Sequence, residues 1–167
     1  MKTVFLSLLL SAAPLAAFAD SPDSSFYKHA AEGGIFEVDA GNLAEAKGNS
    51  QAVKDFGAMM VKDHSAANDK LKSIAATKGL TLPTSASVAE MATKTKLDVL
   101  SGDTFDKSYI KSQLRAHRQT IALFKKETAS GQDADAKAFA AETLPTLRVH
   151  LHAIVKIAND AGVSTKK

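Results

Sequence analysis

Residues 53–74, VKDFGAMMVKDHSAANDKLKSI, decide the fold. Taking positions three and four apart gives Val53, Gly57, Met60, His64, Ala67, Leu71 and Ile74, a small or apolar series broken by one imidazole. Lys54, Asp55, Lys62, Asp69, Lys70 and Lys72 fall between them, so polar and apolar residues separate at the period of an α-helix rather than the period of two that a strand requires. The pattern runs from about residue 51, behind Asn49-Ser50, to Lys78, where Gly79 stops it.

The same walk identifies three further long segments. One spans about 23–47 on Phe26, Ala30, Gly33, Glu37, Ala40 and Ala44, and ends at Gly48-Asn49. Another spans about 104–130 on Ile110, Leu114, His117, Ile121 and Phe124, beginning behind Asp103 or Thr104 and ending at Ser130-Gly131. The last spans about 134–161 on Ala136, Ala140, Thr143, Leu147, His150, Ile154 and Ile157, with Gly162 closing it. Ser87-Val88-Ala89-Glu90 is a capping box that opens a short helix ending near Ser101-Gly102, after the turn Leu80 to Thr84. Four helices, each roughly 40 Å long at 1.5 Å per residue, predict an all-α four-helix bundle with a short additional helix between its second and third members. Pro145 interrupts the last segment and is expected to kink it and re-aim His150.

Composition narrows the chemistry. The chain has 167 residues, 45% hydrophobic and 23% charged, with no cysteine and a formal charge of +3. One domain follows from that length. Disulfides, thiolate metal sites, iron–sulfur clusters and cysteine nucleophiles are excluded, so any metal must be held by imidazole and carboxylate. The small, interspersed charge is no nucleic-acid footprint. Residues 1–19 read as a signal peptide, with Lys2, the apolar stretch Val4 to Leu10 and the small-x-small signal Ala17-Phe18-Ala19, leaving a single helical domain over 20–167. The expected address is the periplasm or the extracellular space. No later stretch is apolar for long enough to span a bilayer; peripheral attachment to the envelope and a homo-oligomer stay open.

Each apolar stripe carries one residue able to ligate metal: Glu37, His64, His117 and His150. Each lies near the middle of its own segment, and midpoints of bundle helices share one layer whichever way the helices run. The four side chains are therefore expected to converge in the core. Two arrangements compensate their burial. They bind one divalent ion, Zn, Fe, Mn or Cu, for sequestration or a stress role, or they form a metal-free hydrogen-bonded layer that sets helix register in an envelope structural or interaction protein. Three neighbours support the layer. Asn68, one turn past His64, could orient an imidazole; Asp63 is an ion-pair or hydrogen-bond partner on the flank; Tyr109, two turns before His117, contributes mainly aromatic packing. Gly33, Gly34 and Gly41 let a neighbour approach near Glu37, while His29 and His152 fall on the surface and Met60 fills the core. Neither a phosphate loop, a nucleophile elbow nor a His-Glu-x-x-His pair is present, so no standard hydrolase or nucleotide chemistry is indicated.

Phe56, Met60-Val61, Asp63-His64-Ser65, Leu71, Leu82-Pro83, Leu100-Ser101-Gly102, Phe105-Asp106, Tyr109-Ile110, His117, Leu144-Pro145 and His150-Leu151 form an ordered series of motifs along the chain. In these the sequence resembles the exported family called domain of unknown function 4142, whose members are often labelled outer-membrane proteins. The resemblance implies a ferritin-like four-helix bundle and no established activity. Di-iron bundles carry Glu-x-x-His motifs on two helices. Here Ala67 occupies the third position after His64, and neither His64 nor His117 sits in such a motif, so a single-metal or metal-free layer fits better than a two-metal centre.

Overall fold

Local chemistry starts and stops each helix close to where the sequence places it. In the computed structural model, which describes residues 22–166, the elements are α1 (Pro22–Lys47), α2 (Gln51–Thr77), α3 (Val88–Asp98), α4 (Gly102–Ser130) and α5 (Ala134–Asp160). The signal peptide expected over residues 1–19 lies outside the described residues. Ser50 caps α2 by accepting from the Val53 N–H, and Asp133 caps α5 by accepting from Asp135 and Ala136. The capping box of α3 is reciprocal: Glu90 accepts from the Ser87 N–H at 2.9 Å, and the Ser87 hydroxyl accepts from the Glu90 N–H at 3.3 Å.

One helix start is corrected. α4 begins at Gly102, earlier than Asp103 or Thr104, because Gly102 takes a positive φ of 55° that brings the chain into the helix behind Ser101. α5 runs through Pro145 as one helix. The proline is exposed and takes no place in the core.

Contacts across the two ends fix the topology. At one end the Asn49 and Ser50 N–H groups, in the α1–α2 turn, both donate to the Asp106 carboxylate at 2.8 Å, which places the start of α4 beside that turn. At the other end the Gln132 N–H, between α4 and α5, donates to Asp23 at the start of α1, and Lys78 pairs with Asp133 at 2.9 Å. α2 and α4 therefore run parallel, and residues 78–101 cross the length of the bundle with α3 lying on α1 and α4. One long crossover between two antiparallel hairpins, α1–α2 and α4–α5, is the ferritin-like connection.

The α1–α2 contact is unusually close. A Cβ at Gly41 would stand 2.8 Å from the Gly57 carbonyl, and one at Gly57 would stand 2.7 Å from the Gly41 carbonyl. Only paired glycines allow that approach. The interior divides into two apolar clusters, one around Phe56, Met60, Phe105, Tyr109 and Ile154, the other around Phe26, Leu71, Phe124, Phe139 and Leu147. Along α2, α4 and α5 a buried histidine stands between them. No helix among the described residues is long and apolar enough to cross a membrane.

Candidate metal centre

His64 lies between Met60 and Leu71 on the inward face of α2, His117 between Leu114 and Ile121 on α4, and His150 between Leu147 and Ile154 on α5. Helix periodicity aims all three into the boundary between the apolar clusters. Their ring centroids are 5.4–5.9 Å apart, and one nitrogen from each lies within 4.8 Å of the other two. If the three atoms stood equally spaced at that limit, their centre would lie about 2.8 Å from each, against roughly 2.0–2.1 Å for a zinc–imidazole bond, a difference that ring rotations can close.

The outer edges of two rings determine what the inner edges present. His150 Nε2 is 2.9 Å from Asp63 Oδ2, and His117 Nδ1 is 3.1 Å from the Gln113 carbonyl. Both acceptors take an N–H. In a neutral imidazole the other nitrogen then carries a bare lone pair, so His150 Nδ1 and His117 Nε2 are acceptors. Neither has a hydrogen-bond partner, and His64 Nε2 also has none. An imidazolium is disfavoured throughout. Burial, then the neighbouring His117 and His150, holds His64 well below the ordinary imidazole range. Burial brings His117 down to about 3, helped by His150 and opposed by its bond to Gln113. Burial also lowers His150, with Asp63 pulling the other way. Three neutral nitrogen donors thus meet in a buried layer, where each unpaired polar group costs about 1–3 kcal/mol.

Glu37 occupies a different place from the three imidazoles. Its Oε1 is 3.6 Å from His117 Nδ1, on the outer edge of that ring, and its Oε2 has no partner. Burial raises its pKa to about 8, the Gln113 amide offsets part of the rise, and the charge of Glu90 adds to it. Gln113 stands near enough to favour the carboxylate, although its own amide atoms reach no full hydrogen bond. The structure thus brings His64, His117 and His150 together and sets Glu37 behind His117.

The supporting residues separate as well. Asp63, one-third exposed, bonds directly to His150 across the α2–α5 seam. Asn68 turns toward α1, where its amide packs against Gly34 so closely that a Cβ there would collide with it at 1.9 Å. Tyr109 is fully buried, stacked on Phe105 at 5.9 Å and edge-on to Phe56, with its hydroxyl unpartnered. His29 and His152 are exposed, and Met60 is core. Sequence reasoning missed Gln113, wholly buried one turn before His117, whose position in the same stripe was the available signal.

A family model for DUF4142, a domain of unknown function, matches residues 9–157. Among solved structures, a DUF305 fragment from Deinococcus radiodurans is 10% identical with a TM-score of 0.73, covering 83% of this chain and 95% of its own. A DUF305 protein from Streptomyces coelicolor, described as a candidate secreted protein, is 13% identical with a TM-score of 0.74, covering 89% and 99%. At those identities the likeness shows a shared fold and nothing of activity. No curated protein matches the chain.

Proposed function

We propose, for a chain that belongs to the DUF4142 family of domains of unknown function, that the bundle core holds a single transition-metal ion between His64, His117 and His150. The observation that carries this reading is the inward convergence of three unpartnered imidazole nitrogens, two of them held in the lone-pair-bearing tautomer by Asp63 and Gln113. A metal-free register layer needs an N–H for each inward lone pair, and two of the three rings have already given theirs away on the outer side. A carboxylate behind a ligating imidazole is the usual support of a metal-bound histidine. Asp63 supports His150 in this way, the Gln113 carbonyl takes the same place behind His117, and Glu37 lies 3.6 Å from that ring nitrogen. Nitrogen donors without sulfur favour Zn(II) or Cu(II), with Fe(II) next and Mn(II) weakest.

Burial of every donor suits retention of an ion, and we read the role as sequestration by an exported protein whose mature chain begins near Asp20. Intact-mass analysis of the protein recovered from a periplasmic fraction tests the export. Metal analysis of untagged protein, beside a His64→Ala/His117→Ala double variant, tests the site. Wild type is expected to carry near-stoichiometric metal and the variant almost none. At a free ion concentration a hundredfold above Kd the stabilisation is about 2.7 kcal/mol, and the wild-type Tm should rise by about 5–10 °C. Equal and negligible metal in both proteins, with no Tm shift on adding Zn(II), Cu(II), Fe(II) or Mn(II), overturns the reading.

A further inference from the structure

The imidazole layer is closed to solvent, yet water approaches it from one side. A cavity of about 350 Å³ opens between α1, α3 and α4, lined among others by His29, Glu32, Gly33, Glu90 and Arg115, and Glu37 lines it too. Glu37 is 3% exposed, has an unpartnered Oε2, and lies 3.6 Å from His117. We propose that this groove is the route by which a divalent cation enters the core, with Glu32 and Glu90 drawing it in and Glu37 as the last oxygen before the imidazoles. The inference rests on the metal reading above.

The carboxylates Glu32 and Glu90 against one exposed guanidinium, Arg115, give the groove mouth the sign that attracts a cation, low-dielectric walls focus such a field, and Glu37 below them is a carboxyl that an arriving ion can deprotonate. The carboxyls are graded in depth. Glu32 pairs with half-exposed His29 at 3.1 Å near the surface, Glu90 is held in place by its bonds to Ser87, and Glu37 is sealed in the core. An ion passing inward exchanges water for oxygen ligands before nitrogen replaces them. Gly33 lines the groove and puts no side chain into it. A Cβ there would meet only Glu90 Oε1, at 3.7 Å, so a longer side chain has room to grow into the passage. The other approach, at Asp63, is stopped by the Asp63–His150 bond and by His150 itself, which is 1% exposed.

Zn(II) loading of the metal-free protein, followed by stopped flow with a fluorescent chelator as competitor, tests the route. Two variants act independently. Gly33→Leu blocks the groove while replacing a poor helix former by a good one, and Glu32→Gln/Glu90→Gln removes charge while retaining a capping-box glutamine. The blocked variant should load more than tenfold slower. The charge variant should load several-fold slower at low ionic strength and lose most of the wild-type salt dependence. Both should reach the wild-type Kd within about twofold, because the donors are untouched. Unchanged loading rates in both variants, with normal zinc at equilibrium, overturn the groove and leave the metal reading standing. Wild type that takes up no zinc overturns both.

Discussion

Asp63 shows how much a single side chain decides. Its carboxylate holds the His150 Nε2–H at 2.9 Å and so turns Nδ1 inward. Asp63→Ala removes that acceptor, and zinc affinity measured by chelator competition should fall about 10–100-fold, as for other supporting carboxylates. Asp63→Asn keeps an acceptor oxygen but not the charge, and should fall in between. Equal affinities for all three would mean that His150 is oriented by packing alone. Tyr109 runs the other way. Its buried hydroxyl has no partner, so Tyr109→Phe should be neutral or stabilise the metal-free protein by about 1 kcal/mol in urea unfolding. At this scale the sequence is partly legible. The spacing of His64, His117 and His150 identifies the inward face, but periodicity does not say which edge of a ring points where. Whether Glu37 stands in front of His117 or behind it depends on the angle between α1 and α4, and Asn68 was drawn toward α1 by the space over Gly34.

Helix ends were legible because they are made by neighbours in sequence: Ser87 with Glu90, Asp133 with Ala136, Ser50 with Val53. The direction of the crossover was not, because it rests on Asn49 and Ser50 meeting Asp106, more than fifty residues away. The closeness of α1 to α2 is half legible: Gly41 stands out beside Glu37, whereas Gly57 reads as one more small residue in a stripe. The two glycines stack backbone on backbone, and each would drive a Cβ into the other's carbonyl at under 3 Å. A carbonyl cannot swing aside as a flexible side chain can. Gly57→Ala gains about 1 kcal/mol of helix propensity but forces the helices apart, and overpacking of this kind costs about 1–3 kcal/mol. A net loss of stability is expected in urea unfolding, and a gain would show that the α1–α2 contact yields easily. The affected contact adjoins Met60 and Val61, one turn from His64, so zinc affinity should weaken in the same variant.

Across the whole molecule, the histidine layer and the bundle end shape stability against pH in opposite directions. In chelator-treated protein burial holds all three layer histidines below the ordinary imidazole value of 6.5, so as pH falls the unfolded chain takes up their protons before the folded one does. Their contribution is complete above that pH and is lost as pH falls through it. Carboxyl groups act on the other limb. Glu127, where α4 ends against the start of α1, is raised to about 7, first by burial, then by sharing a proton with Asp23 and by the charges of Asp23 and Asp133, with Lys137 opposing. Glu37 is raised to about 8. Each keeps its proton when folded after the unfolded chain has lost it. Stability from these two is therefore whole below 4.5 and declines as pH rises toward 7 and 8. Between 4.5 and 6.5 the unfolded state gains up to three histidine protons against two carboxyl protons retained by the native state, so stability rises with pH; above 6.5 only the carboxyl effect remains, and it falls. Urea unfolding from pH 5 to 9 should show a maximum near 6.5. Glu127→Gln, at the opposite end of α4 from its N-terminal cap and away from the imidazoles, removes one of the two opposing carboxyl effects, so it should steepen the rise between 4.5 and 6.5, flatten the fall just above 6.5 and raise stability at pH 8. An alkaline limb as steep in that variant as in wild type would place the titration elsewhere, with Glu37→Gln the variant that then has to account for it.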